Sequence, residues 1–369
     1  VGNVGLAGTL IIVTLSTFIT FLTALSIAAI ATDQRVRTGG AYYMISRSLG
    51  IEAGGAIGIP LFLAQGLSVA LYTVGFAESL VEVFPMLNEK AVGLVTTIGV
   101  AALAITSART AIRAQYFIMG AIALSLLSLF FGNPVENTGV EVAAQAAHTP
   151  EDFWVVFAVF FPAVTGIMAG VNMSGDLENP GRSIPRGTFA AIGVGYLIYM
   201  TIPILLALRV DVGALITDSL VMQRMALWGP AILLGVWGAT LSSAVGSILG
   251  APRVLQALAR DGVLPKSLHW VGKGSGPDDA PRAGTVLTLG LALAAVWFGN
   301  LNIIAPILTM FFLTTYGVLN LSAGIEKLLQ SPSFRPLFKV HWSLSILGAA
   351  GCGLVMFLIN PSATVAAII

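Results

Sequence analysis

The chain has 369 residues, of which 56% are hydrophobic and only 9% charged, against about 25% charged in an ordinary soluble domain. A net charge of +1 without any Lys/Arg run gives no nucleic-acid surface, and a single cysteine, Cys352, excludes an internal disulfide. What remains is an all-α polytopic membrane protein, one transmembrane domain over residues 1–369, with apolar runs of roughly 20 residues recurring about ten times.

In chain order, Val1 to Ala7 read as the outer end of a separate helix that is cut, and Leu10 to Ala31 as a full span. Thr32 to Gly50 is polar and carries Arg35, Arg37 and Arg47, which predicts a turn and a short interfacial helix. Gly54 to Phe84 is a long, tilted span bearing Gln65, Tyr72 and Glu78. Ala91 to Ser107 spans again, Arg109 and Arg113 mark a tight turn, and Tyr116 to Phe131 crosses back. An acidic linker runs from Gly132 to Pro150. The stretch FFPAVTGIMAGVNMSGD, Phe160 to Asp176, follows inside a strongly apolar run, and then LENPGRSIPRG, which two prolines and two arginines mark as a loop. Further spans are predicted over Thr188–Leu208, Pro230–Gly250, Ala283–Phe298, Ile303–Ala323 and Ser343–Ile359. Asn360-Pro361 turns the chain into a last, incomplete helix that ends at Ile369.

Lys and Arg fall on alternate loops very unequally. If the loop after Ala31 is cytoplasmic, fifteen basic residues lie on that side and only Lys90, Arg209 and Arg224 lie opposite. A single missed span would scramble every later loop, so the count supports the order of spans. Counting the cut helix, five spans precede the linker and five begin with the Phe160 stretch. An odd number per unit inverts the second unit relative to the first, the arrangement of transporters built from inverted repeats. The expected units are residues 1–132, lacking most of a first helix, and 151–326, with trailing helices over 340–369.

The chemistry concentrates where the helix should fail. Pro162 removes a backbone donor and its ring collides with the carbonyl four residues earlier, while Gly166 and Gly170 ease departure from helical geometry. A helix broken over about 153–176 would aim free carbonyls at a cation from one stub and free amides at an anion from the other, with the Thr165 hydroxyl at the junction. A Pro kink in an ordinary spanning helix is the alternative, since Pro and Gly are common in membrane helices. The spans hold almost no ionisable groups. His148, His269 and His341 fall in loops or at span ends, which argues against a proton relay. Ser174 or Ser242-Ser243 could be nucleophiles only with a general base in reach, and no span supplies one, so an enzyme is not expected. Neutral oxygen is plentiful instead, in Thr165, Ser242, Ser243, Tyr72 and Tyr316. Hydroxyl and carbonyl oxygens suit monovalent cations, and hydroxyl and amide protons suit an anion. Each hydroxyl could instead bond its own i−4 carbonyl. Glu78, at a span end beyond Tyr72, reads as an interfacial residue or as a gate for cations.

Four long stretches, RTGGAYYMISRSLGIEAGGAIG, VALYTVGFAESL, FFPAVTGIMAGVNMSGDLENPGRSIPRGT and LSSAVGSILGAPRVLQALARDGVLP, together resemble the cation-chloride cotransporter family of the amino acid-polyamine-organocation superfamily. The resemblance covers residues 1–369. It implies a leucine-transporter-like inverted repeat of five helices plus two trailing helices. It also implies alternating access and electroneutral cotransport of Na+ and/or K+ with chloride, with no cofactor beyond those transported ions. It implies a potassium site at Tyr72, Pro162 and Thr165. An inner chloride site follows at the amides of Gly166, Ile167 and Met168 with the Tyr316 hydroxyl, and a sodium position at Ala239, Ser242 and Ser243. Glu78 matches the acid of the outer gate. Tyr72 and the serine pair make the pattern similar to the sodium-potassium-chloride branch.

The family's first helix supplies further ligands, and neither it nor the large C-terminal domain of animal members is matched here. The expectation is therefore a prokaryotic-type or truncated member in the cell membrane, in contact with lipid and compatible with a homodimer. The runner-up is an amino acid or polyamine carrier of the same superfamily. An ion channel is the next alternative, although pore-loop and charged-ring signatures are missing. A non-transporting membrane scaffold is the last.

Overall fold

Runs of Leu, Ile, Val and Ala too long for strands become helices in the computed structural model, which describes residues 1–33, 40–106, 108–135, 150–172, 177–276, 279–330 and 334–368. Arg35, Arg37, His148, Ser174, Gly175 and most of the 132–150 linker lie outside the described residues. Seven helices are long and apolar enough to cross a membrane, and three shorter apolar helices accompany them. That matches the expected count of about ten. Among the described residues there is no strand, only one isolated bridge between Ser275 and Ala280. Cys352 is buried, as packing within an apolar span requires.

Helix α1 runs Gly5–Asp33, α2 Gly40–Leu49, α3 Ile51–Val83, α4 Glu89–Thr106 and α5 Ala108–Phe130. The broken element comprises α6, Phe153–Phe160, a 3-10 turn over Phe161–Val164, and α7, Ile167–Asn172. Helices α8 (Pro180–Arg209), α9 (Val212–Thr217), α10 (Val221–Met225) and α11 (Gly229–Arg260) follow. They lead to α12 (Arg282–Phe298), α13 (Leu301–Leu328), α14 (Trp342–Ile359) and α15 (Pro361–Ile368). Several starts are set by local chemistry. Asp152 accepts the Trp154 amide ahead of α6, Asp211 that of Gly213 ahead of α9, and Asn300 that of Ile303 ahead of α13.

Four expectations need correction. Gly5 to Ala7 do not end a separate helix; they open α1. Arg109 and Arg113 lie in the first turns of α5 rather than in the turn before it. LENPGRSIPRG is mostly helical, because Pro180 occupies the first helical position, where no N–H is needed, and the Asn179 carbonyl accepts the Ser183 amide at 2.9 Å. Helix α11 continues ten residues past Gly250 and through Pro252. Ala251, Val254 and Leu258 are fully buried there, and that burial outweighs the one bond the proline removes.

The basic end of the helices is tied together by α2. Tyr42 donates to Asp261 at 2.8 Å, at the end of α11, and Arg47 approaches the same carboxylate at 3.6 Å. Burial and the bond to Asp261 push the Tyr42 hydroxyl above the ordinary tyrosine range, so the phenol stays a donor. Deeper in, α1, α13 and α14 share a buried polar clamp. Ser26 donates to Asn320 Oδ1 at 2.7 Å and lies 3.0 Å from the Ser345 hydroxyl, while Asn320 Nδ2 donates to Thr23 at 2.9 Å. Replacing Asn320 by leucine keeps the volume, and Ser26 and Thr23 retain Ser345 and the Ile19 carbonyl as partners. The expected cost is therefore modest, about 1–2 kcal/mol for two interhelical bonds, read as a lower melting temperature in detergent.

Candidate ion-binding site

Pro162 cannot donate to the Ala158 carbonyl, four residues back. The Thr309 hydroxyl of α13 donates to that oxygen instead, at 2.6 Å. Two more hydroxyls serve the unwound segment: Tyr199 of α8 donates to the Ala163 carbonyl at 3.1 Å, and Tyr316 of α13 to the Thr165 carbonyl at 3.1 Å. Neighbouring helices thus bring hydroxyl donors to three carbonyls at the break, which is what permits irregular backbone at membrane depth. The break is real and not a simple kink.

Around it lies a cavity of about 340 Å³. Helix α3 contributes Gln65, Ser68 and Tyr72, and α5 contributes Gln115. The break contributes Thr165, Gly166 and Gly170, and α11 contributes a wall that includes Ser242, Ser243 and Ser247. Phe312 closes one side. Among the described residues the cavity lining includes no Asp, Glu, Lys, Arg or His, and its polarity comes from hydroxyls, carboxamides and backbone. The Thr165 hydroxyl donates to the Pro162 carbonyl at 2.8 Å, leaving its oxygen lone pairs as acceptors. Ser242 is hydrogen-bonded to Gln115 Oε1. On the opposite face of the break a second cavity of about 140 Å³ is bordered by Gly166, Ile167, Thr17 and Thr20.

Five of the residues expected from sequence therefore converge: Tyr72, Thr165, Gly166, Ser242 and Ser243. The rest sit differently. Pro162 is buried and is not part of the cavity lining. The Met168 amide is spent on the Thr165 carbonyl at 3.4 Å, while the amides of Gly166 and Ile167 have no backbone partner among the described residues. Tyr316 is fully buried, and its proton goes to the Thr165 carbonyl rather than into the cavity. Ala239 and Glu78 are half-buried and lie outside the cavity lining. Gln115 escaped the sequence reading because it stands two residues after Arg113, in a stretch taken as a turn. Its signal is a carboxamide inside an apolar helical run.

A helical membrane domain with an unwound element facing a cavity lined by hydroxyls and carboxamides fits a permease-type carrier. The whole chain, residues 1–369, matches the amino acid permease family, and the protein belongs to it. It is 33% identical to mouse solute carrier family 12 member 1 over 98% of its own length and 38% of the relative's. It is 35% identical to zebrafish (Danio rerio) solute carrier family 12 member 2 over 98% of the chain and 37% of the relative, and 34% identical to the human member 2 over 98% and 35%. The chain thus spans little more than a third of the curated relatives it matches. They uphold the family resemblance and the reading as an integral, multi-pass membrane protein and not an enzyme.

Proposed function

We propose that the chain is the transport domain of a secondary carrier that couples Na+ and/or K+ to chloride by alternating access in the cell membrane. The observation that carries this reading is the cavity joining Tyr72, Thr165, Gly166, Ser242 and Ser243, with no charged side chain among its described lining residues. Its Thr165, Ser242 and Ser243 hydroxyl oxygens and the loosened carbonyls suit dehydrated monovalent cations, and the free Gly166 and Ile167 amides suit chloride. Binding a cation and an anion together lets each charge offset the other where the protein supplies none. Glu78, about 9 Å beyond Tyr72 along α3, would draw cations to the mouth. Ala239, one turn before Ser243, is proposed to add its carbonyl to the sodium position. For Tyr316 the proposed role is to hold the Thr165 carbonyl, and through it the two amides, in place.

The test is rubidium uptake into vesicles carrying the full-length protein. Uptake is expected to require chloride, and Thr165→Ala and Ser243→Ala are each expected to reduce it about tenfold at sub-saturating ion. Rubidium uptake indifferent to chloride overturns the coupling. A second reading, an amino acid or polyamine carrier, is favoured by one observation: a cavity of about 340 Å³ is far larger than an ion. Saturable uptake of a labelled amino acid or polyamine, competing with no inorganic ion, would establish it instead.

A further inference from the structure

Toward the basic end from this cavity lies a second group of polar atoms that the ion sites do not use. Gln65 precedes Tyr72 by seven residues on α3, and Gly250 follows Ser243 by seven on α11, so each is two turns, about 10 Å, displaced on the same face. Asn172 follows Thr165 by seven residues and ends α7. All three are displaced in one direction, toward the ends that carry Arg47, Arg182 and Arg253.

Gln65 is 3% exposed and Asn172 is fully buried. Among the described residues, neither Gln65 Oε1 nor either polar atom of the Asn172 carboxamide has a hydrogen-bond partner. Buried carboxamides are nearly always satisfied, because a stranded amide loses its hydration and receives nothing in exchange. Their placement is also specific. A β-carbon at Gly250 would stand 3.4 Å from Gln65 Oε1 and 3.4 Å from Asn172 Nδ2, so both side chains converge on a place where α11 has no side chain. Gln65 also lines the large cavity, which connects this place to the upper layer.

We infer that Gln65 and Asn172 form a second cation station beside Gly250, through which the ion passes on its way between the cavity and the basic side. The inference rests on the transport reading above. Turning the Asn172 carboxamide by 180° exchanges its unpaired Nδ2 and Oδ1, so two carboxamide oxygens can face this place and each replace a water of hydration, which favours a cation over an anion. The absence of any carboxylate in the pair favours a monovalent alkali ion, because calcium and magnesium sites depend on acidic oxygens. A weak station one layer below a tighter one lets a dehydrated ion leave in two smaller steps, as multi-site pathways require.

The experiment measures rubidium flux in both directions across vesicles containing the full-length protein. Gln65→Leu and Asn172→Leu should each raise the half-saturating rubidium concentration on the basic side about tenfold. Half-saturation by chloride, and by rubidium on the other side, should stay as in wild type. Gln65→Glu and Asn172→Asp keep an oxygen in place and add negative charge, so each should lower the half-saturating rubidium concentration on the basic side, which a purely structural role would not predict. Should the leucine variants fail to fold, Gln65→Asn, shorter by one methylene, should shift the same constant in the same direction. Unchanged rubidium saturation in these variants, or a shift in chloride saturation instead, overturns the station and leaves the coupling standing. Rubidium flux that ignores chloride in wild type overturns the coupling and leaves the station test readable.

Discussion

Gly132→Ala is expected to be among the most damaging single-methyl additions in this chain. A β-carbon at residue 132 would stand 2.0 Å from the Met225 carbonyl oxygen and 2.9 Å from the Met225 carbonyl carbon and Ala226 Cα, all of them backbone. No side-chain rotation relieves that overlap, so two chain segments must part. What they hold together is the end of α5. The Asn133 amide donates to Met225 at 2.9 Å, Leu227 to the Ser128 carbonyl at 2.8 Å, and Trp228 to the Ser128 hydroxyl at 2.8 Å. Arg209 donates to the carbonyls of Leu129 and Phe130, at 3.2 and 3.1 Å, closing the helix with a cation where its dipole is negative. Forcing these segments apart sacrifices two or more bonds along with the packing, about 3–5 kcal/mol. The measurement is the melting temperature of the purified protein in detergent, with Gly120→Ala as control. A β-carbon at Gly120 meets nothing within 4 Å, and alanine is the better helix former, so the control should match or exceed wild type. Equal melting of Gly132→Ala and wild type would show that the outer segment does not hold α5.

The contrast between Gly132 and Gly166 shows what the sequence could reveal. Gly166 sits beside Pro162 and Thr165, so local chemistry alone pointed to either a break or a Pro kink, and the structure has the break. Tyr72, Ser242 and Ser243 were singled out as hydroxyls in apolar runs and by resemblance, and two helices bring them to one cavity. Gly132 carried no such signal, because its reason is a carbonyl 93 residues away that only the folded chain places against it. The same holds for Gln115, whose significance depends on α11 laying Ser242 against it, and for α11 itself. Its helix passes Pro252 because of burial against α3, which no local propensity contains. Spans, sidedness and the break are properties of short stretches. The partners that satisfy a broken backbone are not, and Thr309 illustrates this most sharply: in sequence it is one more threonine that could bond its own helix.

Thr309→Val is expected to disturb both stability and transport, while Thr309→Ser should be close to wild type. Valine is nearly isosteric with threonine, yet its second methyl would lie where the hydroxyl now sits, 2.6 Å from the Ala158 oxygen. Carbon and carbonyl oxygen come no nearer than about 3.3 Å even in favourable C–H contacts, so α13 and the end of α6 must separate. The Ala158 carbonyl would then lose the donor that compensates for Pro162. A bare carbonyl in a buried, water-poor setting costs roughly 2–4 kcal/mol, the steric repulsion included. Part of that cost should appear as a lower melting temperature. The remainder should appear in flux, because Tyr316 lies on the same helix two turns from Thr309 and fixes the Thr165 carbonyl that precedes the Gly166 and Ile167 amides. A displaced α13 therefore misplaces both proposed ion positions at once. Rubidium and chloride half-saturation should rise together in Thr309→Val, in contrast to the cation-selective shift expected for Gln65 and Asn172. If only the melting temperature falls while both half-saturation values hold, Thr309 supports the backbone without shaping the ion positions. If neither changes, some other donor serves Ala158.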